Sequence, residues 1–183
     1  MEGALVLRVM EAEPQGTCTG VDALIEQQEE LFEATGYSYE SFIAGAFTVP
    51  GAGGDWTLVL HFDGGVAMQT RFLEALSAGG RAVVHSSNGG KPIHLFHWYE
   101  DGKLRTSFEG PTARNGSTPD ALNSVMREVG FNLSDDAGYT GVYVEKALVL
   151  ALAERLTGVR VTEELLHDAE YQLGHVPDEP AEE

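Results

Sequence analysis

The spacing of apolar and polar residues changes several times along this chain of 183 residues, and each change marks a predicted element. Residues 4–10 read as a first strand, and residues 11–20, punctuated by Pro14, Gly16 and Gly20, read as a loop. After Asp22, a plausible N-cap, Leu24, Ile25, Leu31 and Phe32 recur at helical spacing. Glu26 to Glu30 then form a wet face before Gly36 ends the helix. Residues 41–49 and 56–62 predict two strands. In the second, Trp56, Leu58, Leu60 and Phe62 alternate with Thr57, Val59 and His61, so His61 should point away from the main core. A short helix is expected over 68–77. Thr118 before Pro119 opens another, which runs to Val129 and is closed by Gly130. Residues 142–156 are apolar nearly all round, which predicts a helix buried on most sides and packed on the sheet. Thr162 can cap a final helix carrying Leu165, Leu166 and Tyr171, and residues 177–183 read as a disordered acidic tail.

Between residues 81 and 109 lies a three-strand meander punctuated by Asn88-Gly89 and Asp101-Gly102, dipeptides that favour two-residue hairpin loops. With both loops that tight, His94 lies opposite Val83 on one neighbour and Glu109 on the other, and Trp98 lies opposite Arg105. Alternation then places Ala82, Val84, Ile93, Leu95, His97, Tyr99, Leu104, Thr106 and Phe108 on a core face. His85, His94, Phe96, Trp98, Arg105, Ser107 and Glu109 fall on the other face, expected to be a mixed polar and aromatic surface. The predicted fold is α+β: a mainly antiparallel sheet of about six strands with helices packed on one face, in a single domain over residues 1–176.

A chain of this length hides roughly 70% of its unfolded surface on folding, enough for its own core. Its 29 acidic and 11 basic residues give a net charge of −18. Such a field repels phosphate backbones and anionic lipid, so neither nucleic acid nor membrane is an expected partner. Cys18 is the single cysteine, which excludes an intramolecular disulfide and a multi-cysteine metal cluster and fits a reducing cytoplasm. The N-terminal residues have neither the basic nor the long apolar region of a secretory signal. Asn115-Gly-Ser and Asn132-Leu-Ser match the glycosylation sequon, which has no meaning without export.

Four blocks carry a family likeness: Asp55-Trp-Thr-Leu-Val-Leu60, Leu76-Ser-Ala-Gly-Gly-Arg-Ala-Val-Val84, Tyr99-Glu-Asp-Gly-Lys-Leu104 and Leu150-Ala-Leu-Ala-Glu-Arg-Leu-Thr-Gly-Val-Arg-Val-Thr162. Over about residues 55–166 the chain resembles an actinobacterial family catalogued as a domain of unknown function. The helix end Ala-Glu-Arg-Leu-Thr-Gly-Val-Arg is the most specific piece. The resemblance implies a bacterial domain and supplies no reaction.

The chemistry has to come from single residues. A carboxylate across from an imidazole fixes its tautomer and raises its basicity, so the His94–Glu109 pairing, with His85 diagonally near, is the candidate for general acid–base work. The same pairing also reads as an ordinary cross-strand polar pair. His85, His94 and Glu109 have metal-donor chemistry but no recognised ligand spacing, and neither a metal nor any other cofactor is expected. His97, on the expected core face, reads as a hydrogen-bonded interior histidine. Phe96, Trp98, Arg105 and His61 are the candidate binding residues, with Trp98 and Arg105 able to stack a planar ligand or to pair with each other. The glycine-rich stretches 51–54 and 88–90 are incomplete as nucleotide or phosphate loops and read as turns. The serines sit in no nucleophile elbow, and Cys18 has no basic neighbour to activate it.

Two functional classes follow. The first is an acidic cytoplasmic interaction factor of the immunity, defence or regulatory type, without covalent catalysis, that binds a protein partner or hydrophobic small molecule and could form a homodimer. The second is a small-molecule hydrolase, isomerase or cyclase that uses a His/Glu pair in a sheet-face cleft.

Overall fold

In a computed structural model, which describes residues 2–36, 41–62, 69–87, 94–134 and 141–177, the chain is α+β with two antiparallel sheets. It divides into two compact units: Met1–Val66 with Val161–Glu183, and Ala67–Arg160. The antiparallel strands expected in one sheet are shared between two, one in each unit.

The first unit contains α1 (Gly3–Val9), β1 (Glu13–Thr19), α2 (Val21–Thr35), β2 (Phe42–Gly51), β3 (Gly54–His61), α6 (Glu163–Asp168) and β7 (Glu170–Val176). Its sheet runs in the order β1-β7-β2-β3. Helices lie on both faces. The α1 face is set by Gly3, Val6, Leu7 and Met10, which are buried at a helical spacing while Leu5 between them is exposed. Residues 4–10 are therefore helical, correcting the expected strand. On the other face Leu24 of α2 packs with Ile43, Tyr171 and Leu173. The close approach is visible at Gly45, where an added Cβ would stand 2.8 Å from both Leu24 Cδ2 and Tyr171 Cδ1.

β1 corrects the expected loop over 11–20. Its sequence Glu-Pro-Gln-Gly-Thr-Cys-Thr looks like a turn because Pro14 and Gly16 punctuate it. Both are compatible with this position: β1 is an edge strand, where proline is tolerated, and Gly16 (φ 87°) resolves a bulge between Pro14 and Gly16. β7 corrects the expected continuation of the last helix through Tyr171. Thr162 caps α6 as expected, accepting from the Leu165 N–H at 3.1 Å, but Ala169 is already extended (φ −68°, ψ 140°). From there Tyr171, Leu173 and His175 alternate with Gln172, Gly174 and Val176.

The second unit contains α3 (Thr70–Leu76), β4 (Arg81–Ser87), β5 (His94–Glu100), β6 (Lys103–Phe108), α4 (Asn123–Val129) and α5 (Val142–Thr157), with sheet order β4-β5-β6. Gly130 ends α4 as the sequence predicts, and Gly158 ends α5, both in the left-handed conformation. Phe96 and Phe108 stack at 4.9 Å between ring centroids, and Phe131 meets Phe108 edge-on at 5.8 Å. Leu122, Met126, Val149 and Leu152 complete the core over this sheet face.

Asp101-Gly102 is the tight turn expected, with φ 51° and 72° and Glu100 opposite Lys103. The register it sets does not survive to Glu109. A bulge opens beyond Tyr99–Leu104, so that Trp98 pairs with Thr106 and Phe96 with Phe108. Arg105 is the extra residue. Its carbonyl accepts from the Thr118 N–H at 2.8 Å and the Thr118 hydroxyl at 3.2 Å, while Gly116 (φ 111°) is pressed so close that a Cβ would lie 2.5 Å from that oxygen. Residues 115–118 thus cover the edge of β6 and hold the bulge in place.

Candidate functional site

The register of β5 differs from the predicted one on both sides. Ser87, not Val83's neighbourhood, faces His94: Val83 pairs with Trp98, His85 with Phe96 and Ser87 with His94. That shift is even in number, so His85 keeps the face of Phe96. On the other side the one-residue slip pairs Phe96 with Phe108 in place of the expected Ser107, and Glu109 lies exposed beyond the end of β6. The described pairing of β5 with β6 runs from Phe96 to Glu100 and so does not reach His94. The side chain of His94 and the Asn88-Gly89 turn lie outside the described residues.

The face expected to be a surface is the buried one. Phe96 is fully buried beneath α4 and α5, and Trp98 and Val83 pack against the same cluster. Phe96 is therefore core and cannot serve as an open platform. Trp98 and Arg105 make the internal pairing, with the guanidinium 5.9 Å from the ring centroid, and Arg105 Nε lies 3.9 Å from Glu100, which also meets Arg81 at 3.6 Å. On the opposite face His97 stacks on Tyr99 at 6.1 Å and is held below the usual histidine pKa by burial. It lies opposite Val84 and Ser107 rather than Thr106. Tyr99 is raised by burial and hydrogen-bonded to Thr70 of α3. His61, in the other unit, stands opposite Ala44 with its ring 5.1 Å from Phe42, and burial lowers its pKa to about 4. Each of these two histidines packs against an aromatic ring of its own unit.

Two other features stand out. The first is α5. Val149 and Leu152 face the core, yet Tyr143 is 85% exposed, Val144 50% and Leu150 37%, with Ala147 exposed between them. Tyr143, Ala147 and Leu150 follow the i, i+4, i+7 spacing of a single helix face. The sequence predicted burial on most sides, but only one side is covered among the described residues. The helix carries more apolar surface than its own unit uses.

The second is a polar row at one end of the four-stranded sheet. Glu13, His175 and Ile43 are cross-strand neighbours on β1, β7 and β2, and Ser41 lies two residues before Ile43. Ser41 Oγ is 2.8 Å from His175 Nε2, and Glu13 Oε2 is 3.9 Å from His175 Nδ1. Gln28 of α2 reaches the same row, its Oε1 accepting the Ile43 N–H at 2.7 Å. Gln28 Nε2 is buried without a hydrogen-bond partner among the described residues. The sequence did not reveal this row because Glu13 falls in the expected loop over 11–20 and the last helix was expected to carry Tyr171, which left no strand for His175. The period-2 alternation of residues 171–176 was the signal that could have found it.

A shallow pocket of about 420 Å³ occupies the opposite end of this unit, lined by residues of β2 and β7 with Leu165 and Asp168. Cys18, in β1 opposite Tyr171, is pushed to a higher pKa by burial, away from an activated thiolate. No helix among the described residues is long and apolar enough to cross a membrane.

Comparison with known proteins adds one match. A family model described as "Family of unknown function (DUF6461)" matches residues 1–181. No curated protein and no solved structure matches the chain.

Proposed function

We propose that this chain, which belongs to the family of unknown function DUF6461, is an acidic cytoplasmic interaction factor of the immunity, defence or regulatory type that receives a protein partner on the outer face of α5. The observation that carries this reading is the uncovered stripe of Tyr143, Val144, Ala147 and Leu150. Such a stripe on a helix whose other side is already packed gains free energy only when something else covers it. Tyr143, at the N-terminal end of the stripe, is also of a residue type that often dominates binding energy. The net charge of −18 selects the partner further: an apolar groove flanked by basic side chains would be drawn to it and an acidic one repelled.

Replacing Tyr143 and Leu150 together by serine removes the stripe without touching Val149 or Leu152. Each change should cost about 1–2 kcal/mol of binding, together a loss of roughly 30- to 1000-fold in affinity. The test is quantitative capture from an extract of the native host on wild-type and Tyr143→Ser/Leu150→Ser baits, with sedimentation of each protein alone. A partner retained by the wild type and lost by the variant, with the melting temperature unchanged, supports docking on α5. A wild-type dimer that the variant dissociates names a second copy as the occupant. Equal capture by both baits, with both monomeric, overturns the reading.

A further inference from the structure

The polar row at the end of the four-stranded sheet has no part in docking at α5, and it brings a serine hydroxyl, an imidazole and a carboxylate together. We infer that Ser41, His175 and Glu13 form an acyl-transfer site that hydrolyses small uncharged carboxylic esters. Ser41 Oγ lies 2.8 Å from His175 Nε2, and the Glu13 carboxylate addresses the other ring nitrogen, Nδ1, at 3.9 Å. A carboxylate on that side favours the tautomer with its proton on Nδ1. This leaves the Nε2 lone pair to accept the serine hydroxyl proton, the division of labour that activates a serine nucleophile. His175 and Glu13 are placed by paired strands, and Ser41 immediately precedes a third. Strand pairing therefore fixes the backbone positions from which the three side chains project.

Gln28 supplies the remaining part. Its Oε1 is committed to the Ile43 N–H in the same row, so Nε2 is a buried donor whose hydrogen-bonding capacity is not used by any described residue. An orphaned buried donor is costly to fold around, and the carbonyl oxygen of a bound ester would satisfy it as negative charge develops there. Ser41 is only 8% exposed, which restricts access to small acyl groups, and the net charge of −18 disfavours an anionic one.

In the reaction, Ser41 Oγ bonds to the ester carbonyl carbon as its proton passes to His175 Nε2. The carbon–alkoxy bond then breaks, and the leaving oxygen takes that proton and departs as the alcohol. Water repeats the sequence on the acylated serine. Its proton goes to Nε2, its oxygen bonds to the carbonyl carbon, and Ser41 Oγ leaves and is reprotonated as the carboxylic acid is released. Glu13, which does not touch the ester, is a positioning residue.

The experiment uses the full chain with p-nitrophenyl acetate as substrate and a fluorophosphonate as covalent probe, the adduct being located by mass spectrometry. The expected result is phosphonylation of Ser41 in the wild type and turnover that falls at least about 100-fold in Ser41→Ala. Glu13→Gln should lower kcat roughly two- to fivefold, with KM and melting temperature unchanged, because an exposed carboxylate contributes only modestly. Glu13→Asp should restore part of that loss, which a purely structural role would not produce. Failure of the folded wild type to label at Ser41, or hydrolysis by Ser41→Ala at the wild-type rate, overturns the inference. Should Ser41→Ala not fold, labelling of the wild type alone decides.

Discussion

Phe96→Ala separates a buried face of β5 from an exposed one more sharply than any other single change. In the structure Phe96 is fully buried, stacked on Phe108 at 4.9 Å and enclosed by Leu122, Met126, Val149 and Leu152. Truncating a phenylalanine in such a setting costs about 3–5 kcal/mol, the lost transfer energy plus the cavity left behind. Its stacking with Phe108 adds about 0.5–1.5 kcal/mol beyond the burial, so the double change Phe96→Ala/Phe108→Ala should be less than additive by that amount. Had the helices covered the face of His97 and Tyr99 instead, as the sequence suggests, Phe96 would lie on an open surface, where the same substitution stays within about 0.5 kcal/mol. The two readings therefore differ by several kcal/mol. Urea unfolding in a Trp56→Phe background makes Trp98, which packs on this cluster, the fluorescent reporter of its own unit. A midpoint shift at constant slope equivalent to less than about 1 kcal/mol would refute the burial of this face.

Further outcomes test other parts of the structure. Gly45→Ala drives a methyl group to 2.8 Å from Leu24 and from Tyr171, whose hydroxyl is anchored on the Leu166 carbonyl at 2.9 Å, and should destabilise the first unit by about 1–3 kcal/mol in denaturant unfolding. His61 has a folded pKa of about 4 against an unfolded value near 6.5, so the unfolded chain binds the extra proton between them. Its contribution is complete above about pH 6.5 and lost as pH falls toward 4, by no more than roughly 3 kcal/mol. In an NMR titration its ring resonances should not move above pH 5, and His61→Leu should flatten the stability profile over that window. Thr162→Ala removes the cap on the Leu165 N–H and should cost about 1 kcal/mol, measured by thermal melting.

What the sequence revealed and what it concealed follow from the range of the interactions involved. α2, the hairpin of β2 and β3, α5 and its Gly158 stop are written in local periodicity and turn chemistry, and so were legible. α1 was misread because Ala4-Leu5-Val6-Leu7 is an unbroken apolar run that satisfies either period; only the spacing of Gly3, Val6, Leu7 and Met10 distinguishes the helix. β1 was hidden by Pro14 and Gly16, which mark a turn unless the strand is an edge with a bulge. The bulge at Arg105 is imposed by residues 115–118, a contact that no reading of residues 88–109 contains. One extra residue there reassigned Glu109 and, with the packing of α4 and α5, turned the presumed surface into core. The unforeseen row of Glu13, His175 and Ser41 joins residues up to 162 positions apart, two of them on strands that local patterning does not show.

The most direct test of docking at α5 places a photo-crosslinking amino acid at position 143 or, as a control, at position 105 beside Trp98, in cells of the native host. The account expects a discrete covalent adduct from position 143 that disappears when Leu150 is also changed to serine, and none from position 105. An adduct from position 105 with none from 143 would contradict it.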